Sequence, residues 1–466
     1  MIAAIALDLG TTRIKAGLVA QDGTPGNIVS LHAPLIAADG GRYESDALAY
    51  AETVDVVLRE CMAQTSSFPP LGMCSQRSSF VVWERASGRP LTPLISWQDN
   101  RGAASCEALR EQGNIIRELA GLPLTPYYLG PKLRVLMNEL PPLRERLLSG
   151  EWLLGTLDTF LIWRWTGGKS HVTDASMAAR TLLMDVHARQ WSPVLCELFG
   201  VPLFALPRIE ASAGLGLALD NGLTLNSSMA DQSAALVATL DAGRAEAMVN
   251  LGTGGFVACY LPEGRRAPDG YLQTLVWQER GGLVHSACEG TLNSISAALS
   301  PYRTQDCTAG ELGNDDIHCL AEPSGLGAPY FRGDLGITFS APVGDLPPRR
   351  IALLLQEGII FRVARILEDM HREFGIERAF LSGGLSRRPC LQQGIARCAP
   401  CDCFRLSGAD AGLAGVAMTA SGGTGGAATG AEKIELSPDT VRLPEKYARW
   451  KDWMDGLLAA SPSGTE

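Results

Sequence analysis

The stretch IALDLGTTRIKAGLV, residues 5 to 19, sets a run of small apolar residues against one carboxylate, Asp8. Gly10, Thr11 and Thr12 follow at once, then a cation, Lys15, then a second apolar run. Strand, turn and strand fit this pattern. The acid ends a strand that reads as buried, beside a turn rich in backbone and hydroxyl donors. AMVNLGTGGFVACY, residues 247 to 260, repeats the plan with Asn250 in place of the acid and Gly252, Thr253 and Gly254 at the turn. Two such copies suggest two related halves. Each turn can aim N–H and hydroxyl groups at one point, which makes an anion site. Gly and Thr are also common in hairpin turns that bind nothing, so the phosphate reading rests on both copies together with the acid.

The rest of the chain narrows the choice. A length of 466 residues predicts two or three domains. With 40 Lys and Arg against 50 Asp and Glu, the net charge of -10 argues against nucleic acid or an anionic membrane as partner. It leaves room for one small anion held locally. No apolar run reaches the roughly 18 residues of a membrane span. The N-terminus lacks a basic n-region, which argues against a signal peptide. The 12 Cys show no small-domain disulfide framework, and we read them as reduced, in the cytoplasm.

Strands alternate with helices, so the class is α/β. LAYAETVDVVLREC sets Leu48, Ala51, Val54, Leu58 and Cys61 on one helical face, and LLQEGIIFRVARILEDM does so with Leu355, Ile359, Val363, Ile366 and Met370. SFVVW (79–83) reads as a strand, and AFLSGG (379–384) as a strand entering a glycine turn. The loosest stretches are 209–229, rich in Gly, Ser and Asn, and 421–430, rich in Gly, Ala and Thr. TGGKS (166–170) imitates the end of a P-loop, but Trp163 stands where its first glycine belongs, and a helix closed by Gly167 fits better. Cys398, Cys401 and Cys403, with Cys390 nearby, are cramped against the two separated ligand pairs usual for zinc, and no His lies close, so a metal there is disfavoured but left open. G-x-S-x-G is absent.

Several polar motifs remain: CSQRSS with Gln76 and Arg77, SWQDNR with Trp97, Asp99 and Arg101, TPYYLGPK with Tyr127 and Tyr128, and MADQSAAL with Asp231 and Gln232 at a helix start. Singly each has a plain reading; Asp231, for instance, suits a helix cap. Taken in order with LGTLDTFLIWRWTGG (154–168), HVTDASMAARTLLMDVHARQW (171–191), GLGAPYFRGDLGITF (325–339) and LSGGLSRRP (381–389), they resemble the FGGY carbohydrate kinases over nearly the whole chain, and within them the glycerol kinase branch.

That resemblance implies two actin-like, ribonuclease H-like domains with a cleft between them, residues 1–242 and 243–466. It implies ATP-dependent phosphorylation of a hydroxyl of a small polyol or sugar, with ATP and Mg²⁺ as cofactors. Asp8 would hold magnesium, which answers why the strand ends in an acid. Gly10, Thr11, Thr12, Lys15, Gly252, Thr253 and Gly254 would face the phosphates, with Gly383 and Gly384 against the adenosine. Asp231 would be the general base. Gln76, Arg77, Trp97, Tyr127, Asp231, Gln232 and Phe256 would line the substrate pocket. Assembly as a homodimer is left open.

The chain also departs from the glycerol kinase pattern. Ser78 stands in place of a Glu, Ala230 in place of a Gly, Arg388 in place of an Asn, and the region from Glu289 to Gly325 is short, with Ser296 where a Gly is common. Ser78 is the shorter side chain, so it is expected to leave room for an acceptor longer than glycerol. Glycerol kinase proper is one alternative, and a non-kinase actin-like ATPase or a sugar-binding sensor is the alternative of another class.

Overall fold

A computed structural model describes residues 2–21, 23–406, 410–423 and 430–460. The chain divides into two compact units. The first comprises Met1–Thr239, Gln273–Ser286 and Ala409–Ala427; the second comprises Leu240–Leu272, Ala287–Gly408 and Ala428–Glu466.

The first unit is built on a six-stranded sheet in the order Ala213–Ala218, Thr224–Ala230, Leu71–Ser75, Ile2–Leu9, Arg13–Ala20, Pro25–His32. Ile2–Leu9 and Arg13–Ala20 form the expected antiparallel hairpin, with Asp8 opposite Lys15 and Leu9 opposite Ile14. On its other edge Ile2–Leu9 runs parallel to Leu71–Ser75, with Asp8 level with Cys74. Leu71–Ser75 in turn runs parallel to Thr224–Ala230, so the strand ends carrying Asp8, Gln76 and Asp231 lie side by side. Parallel strands buried on both faces read as unbroken apolar runs, and Leu71–Ser75 is buried at every position.

The second unit repeats that core. Its sheet includes Gly255–Tyr260, Glu246–Leu251, Arg378–Ser382 and Asp402–Leu406 as neighbours in that order. Glu246–Leu251 pairs antiparallel with Gly255–Tyr260 and parallel with Arg378–Ser382, so Asn250 lies opposite Phe256 and level with Ser382. The 27-residue helix Pro348–Phe374 buries all five positions expected of it, Leu355, Ile359, Val363, Ile366 and Met370.

Two readings are corrected. Helix Ala47–Met62 buries Ala51, Val54, Leu58 and Cys61, but Leu48 is 38% exposed. Asp46 caps this helix by accepting from Leu48 N and Ala49 N. The buried face of its first turn is Ala47 and Tyr50, and Leu48 falls beside that face. The stretch 209–229 is not loose: it holds most of two paired strands, Ala213–Ala218 and Thr224–Ala230. Gly214, Gly216 and Gly222 have φ of 73°, 64° and 86°, so its glycines serve a bulged hairpin. The stretch 421–430 falls largely outside the described residues. Helix Leu157–Trp165 ends at Thr166, with Gly167 left-handed at φ 58°, in keeping with a closed helix rather than a phosphate loop.

Helix Ala411–Ala420 packs against this site-bearing part of the first sheet without space to spare. A Cβ on Gly72 would lie 2.2 Å from Val416 O, and one on Gly415 would lie 1.9 Å from Ala234 O. Gly415 therefore sets the approach of this helix to helix Asp231–Thr239, whose first residue is Asp231. Both contacts are with backbone, which cannot rotate away. Gly415→Ala is expected to cost at least about 2 kcal/mol of unfolding free energy in urea, the middle of the overpacking range. A loss under about 0.5 kcal/mol would show that the helix shifts freely.

Candidate active site

Three parallel strands of the first unit end side by side, which brings Asp8 within reach of the charge of Asp231. Asp8 closes Ile2–Leu9, partly exposed. Lys15, its cross-strand partner, lies 4.0 Å from Asp8 Oδ2 and donates to Asp410 Oδ1 at 2.6 Å. Cys74 Sγ sits 3.6 Å from Asp8 Oδ1. Burial, then the charge of Asp231, push the Asp8 carboxyl up to about 6, against the pull of Lys15.

Asp231 is the first residue of helix Asp231–Thr239, as its sequence placement predicts. Burial raises its pKa, and Arg77, the Gln232 N–H and Arg180 oppose that rise. Its Oδ1 accepts from Gln232 N at 2.7 Å. Arg77, 6% exposed, donates through Nη2 to Gln232 Oε1. Arg77, Asp231 and Gln232 thus form one connected group.

The remaining polar residues are tied to the first hairpin. Gln76 is buried; its Oε1 accepts from Thr11 Oγ1 at 3.1 Å and from Ser79 Oγ at 3.0 Å, and its Nε2 reaches Tyr50 Oη at 3.5 Å. Tyr50 Oη donates to Gly10 O at 2.8 Å. Trp97 donates through Nε1 to Thr11 Oγ1 at 2.9 Å, and its ring centroid is 5.5 Å from that of Tyr127. The Thr11 hydroxyl therefore spends its proton on Gln76 and a lone pair on Trp97, linking the turn to the aromatic pair. Thr12 is exposed. Gly10 is required where it stands, since a Cβ there would lie 2.6 Å from Arg13 O.

In the second unit Gly252 N donates to Gly254 O at 2.8 Å, which closes the second turn and leaves Thr253 exposed. Phe256 is half-buried opposite Asn250. Gly383, at φ 88°, would carry a Cβ 2.4 Å from Leu251 O, so only glycine lets Arg378–Ser382 turn beside the hairpin. Gly384 follows with open space around its Cβ position. Arg388 donates to Thr304 Oγ1 at the start of helix Pro389–Cys398.

The room expected beside Ser78 is not there. Ser78 is fully buried at φ 62°, and its hydroxyl donates to Arg180 O at 2.9 Å. Two cations near the site carry no single-residue signal in the sequence. Arg180 is buried, with its guanidinium 5.8 Å from the Tyr128 ring centroid. Lys132 is fully buried and donates to Ser96 O at 2.8 Å and Trp97 O at 3.0 Å.

Comparisons with known proteins identify the family. Residues 3–224 match the model of the FGGY family of carbohydrate kinases, N-terminal domain, and residues 247–422 match its C-terminal domain. The chain belongs to the FGGY family of carbohydrate kinases. It is a phosphotransferase with an alcohol group as acceptor, in a family that uses ATP. A glycerol kinase of Alkalilimnicola ehrlichii is 31% identical, with 97% of each chain covered. A glycerol kinase of Thermus brockianus is 34% identical over 80% of this chain and 79% of its own. The glycerol kinase of Plasmodium falciparum, solved with ADP, superposes with a TM-score of 0.85 at 19% identity, covering 98% of this chain and 99% of its own. A gluconate kinase of Lactobacillus acidophilus gives 0.79 at 18% identity, covering 98% of each chain. These superpositions carry the actin-like α/β fold expected of an FGGY kinase. No helix among the described residues is long and apolar enough to cross a membrane.

Lys132 offers a test of the first unit's electrostatics. Burial pushes its ammonium from 10.5 down to about 7, with Arg101 adding to the shift and Asp99 opposing it. The unfolded chain then binds the proton more tightly than the folded one between those values. Folded wild type should therefore gain on a Lys132→Met variant as pH rises from about 7 to about 9, by up to about 1.4 kcal/mol per pH unit. Urea unfolding of both proteins at the two pH values measures this; a pH-independent difference would mean that the buried ammonium keeps its proton.

Proposed function

We propose that this FGGY kinase transfers the γ-phosphoryl group of ATP to a hydroxyl of a small polyol or sugar, with Asp231 as general base. The observation that carries the reading is the pairing of two desolvated carboxylates, Asp8 and Asp231, each with its own cation. Like charges in a poorly solvated corner are expensive unless the chemistry uses both. Their environments give them different partners: Lys15 and Cys74 for Asp8, Arg77 and Arg180 for Asp231.

Phosphoryl transfer asks the protein for alignment, charge balance and a proton acceptor. A carboxylate whose pKa is raised toward working pH is a stronger base, and Asp231 is held in that condition by burial. Arg77 and Arg180 oppose that rise and so favour the ionised form, which is the form that takes the acceptor's hydroxyl proton. Trp97 and Tyr127 offer aromatic faces for C–H surfaces of the acceptor, with Gln232 and Arg77 as hydrogen-bonding edges. Phe256 is assigned to the same acceptor. Gln76 serves this pocket by fixing Thr11, since its carbonyl already accepts two hydroxyl protons. The two Gly-Thr turns and Lys15 are assigned to the phosphates, and Gly383 and Gly384 to the adenosine.

The donor set at Asp8 fits magnesium held chiefly through water and phosphate. It is a single, partly exposed carboxylate whose charge is crowded by Asp231, and among the described residues no group of three or more His, Cys, Asp or Glu is arranged as a protein cage. When bound, magnesium offsets charge on the transferring oxygens.

The reading is tested by ADP release, coupled to a dehydrogenase signal, with and without glycerol, erythritol, ribitol, xylitol, ribulose, xylulose and gluconate. Release only with an acceptor supports it. Release without any acceptor would make the chain an ATPase, and no release would make it a binding protein. Asp231→Asn keeps the shape and loses the base, so turnover should fall by about 10²–10⁴ while acceptor binding changes far less; retention of more than about a tenth of wild-type turnover would remove Asp231 from that role.

Asp8→Ala separates metal binding from structure. ATP affinity by calorimetry should weaken more in the presence of magnesium than in its absence. Equal losses under both conditions would assign Asp8 to the fold instead.

A further inference from the structure

The strand that delivers Asp231 has an unusual end. Thr224–Ala230 is paired on one edge with Leu71–Ser75 up to Ala230, which is level with Ser75. On its other edge the neighbouring strand Ala213–Ala218 reaches only to Ala213, opposite Ser227. Ser212 extends that edge by one bond, accepting from Ser228 N at 2.9 Å. The next N–H on the same edge belongs to Ala230, the residue before Asp231, and it donates to Ser176 Oγ at 2.8 Å. A side-chain hydroxyl thus takes the place of a missing strand partner.

A serine hydroxyl has one proton and can turn freely, so its lone pair faces Ala230 only if its proton is fixed elsewhere. Asp174 fixes it. Ser176 Oγ lies 2.8 Å from Asp174 Oδ2 and 3.0 Å from Oδ1, and a carboxylate can only accept. Asp174 is itself held by Ser176 N at 3.0 Å, Met177 N at 2.9 Å and Ser212 Oγ at 2.6 Å. Ser212 Oγ in turn accepts from Gln278 N at 2.9 Å. Asp174, Ser176 and Ser212 are each 1% exposed or less. One buried carboxylate therefore organises both edge contacts at the strand end, through Ser212 to Ser228 and through Ser176 to Ala230.

We propose that Asp174 and Ser176 are positioning residues for Asp231, with the Ser176 hydroxyl, oriented by Asp174, holding the last N–H of the strand that carries the base. The inference rests on Asp231 being that base. Both residues are 1% exposed, so their effect passes through the backbone of Ala230. Misplacing a proton acceptor by about 1 Å is enough to cost catalysis heavily while leaving binding groups elsewhere in place.

The test uses the full chain with ATP and the acceptor that gives the strongest ADP release. In Ser176→Ala, kcat should fall at least about tenfold, while KM for ATP and for the acceptor each stay within about threefold, assayed well below the unfolding midpoint. An unchanged kcat in the folded variant overturns the proposal, as does a parallel rise of both KM values, which marks a general loss of structure. If Ser176→Ala does not fold, wild-type hydrogen exchange decides. The Ala230 amide should exchange as slowly as the ladder amides of Leu71–Ser75, and fast exchange overturns the contact. Asp231→Asn, run alongside, keeps the two ideas apart. Its failure to lower turnover removes the base reading and this inference with it. A crippled Asp231→Asn beside a normal Ser176→Ala removes this inference alone.

Discussion

Two carboxylates that repel each other in a poorly solvated corner set the terms for the first unit. Asp8 feels Asp231, and both are pushed toward neutrality by burial. A buried charge without a partner costs several kcal/mol, so the cations around them are structural necessities as well as chemical ones. Each cation is in turn anchored. Arg77 is fixed on Gln232, Lys15 on Asp410, and the segment carrying Arg180 on the Ser78 hydroxyl. This explains why Ser78 is buried at positive φ: its hydroxyl is used to hold the backbone of a counter-charge. An acceptor meeting this site finds no vacant corner at position 78, so any preference for longer substrates must come from other residues.

The anchor on Lys15 comes from far along the chain. Asp410 precedes helix Ala411–Ala420, which reaches the first sheet only because Gly72 and Gly415 lack side chains. That close packing places the carboxylate 2.6 Å from Lys15, 395 residues away in sequence. Two separate close approaches, Gly72 to Val416 and Gly415 to Ala234, therefore seat the helix that follows Asp410. Packing and electrostatics thus meet at one helix, which packs by Gly415 against Ala234 and is preceded by the Asp410 that holds Lys15.

Local signals in the sequence were enough for the hairpins, for Asp231 at a helix start and for the apolar face of Pro348–Phe374, because each depends on neighbours within a few residues. Signals failed where a distant group decides. Leu48 sits one residue, about 100°, past Ala47, beside the face that Ala47, Tyr50, Ala51, Val54 and Leu58 bury, and only the packing shows which side of the apolar set faces inward. The glycines of 209–229 read as loop because a bulged strand pair needs left-handed residues just as a loop does. Arg180 and Lys132 carried no reading of their own, since a sequence does not say that a cation is buried. Asp174 and Ser176 stood inside a family stretch with no role of their own; their meaning depends on Ala230, which meets Ser176 only in the fold.

The internal repeat carries one further step. Asp8 and Asn250 occupy the same place in two similar cores, each at the end of a hairpin strand and level with a polar residue of the parallel neighbour, Cys74 or Ser382. The difference between them is one of charge. An amide both donates and accepts, and Asn250 Nδ2 donates to Ser382 Oγ at 3.1 Å, so it is satisfied by its own sheet. A carboxylate can only accept, and Asp8 has the weak Cys74 thiol as its sheet neighbour and Lys15 at 4.0 Å. It is therefore the under-satisfied member of the pair. A duplicated core that leaves one copy satisfied and the other short of positive charge has separated two tasks. The neutral copy keeps the turn donors without a carboxylate beside them, and the charged copy is where the proposed magnesium would find an unsatisfied acceptor.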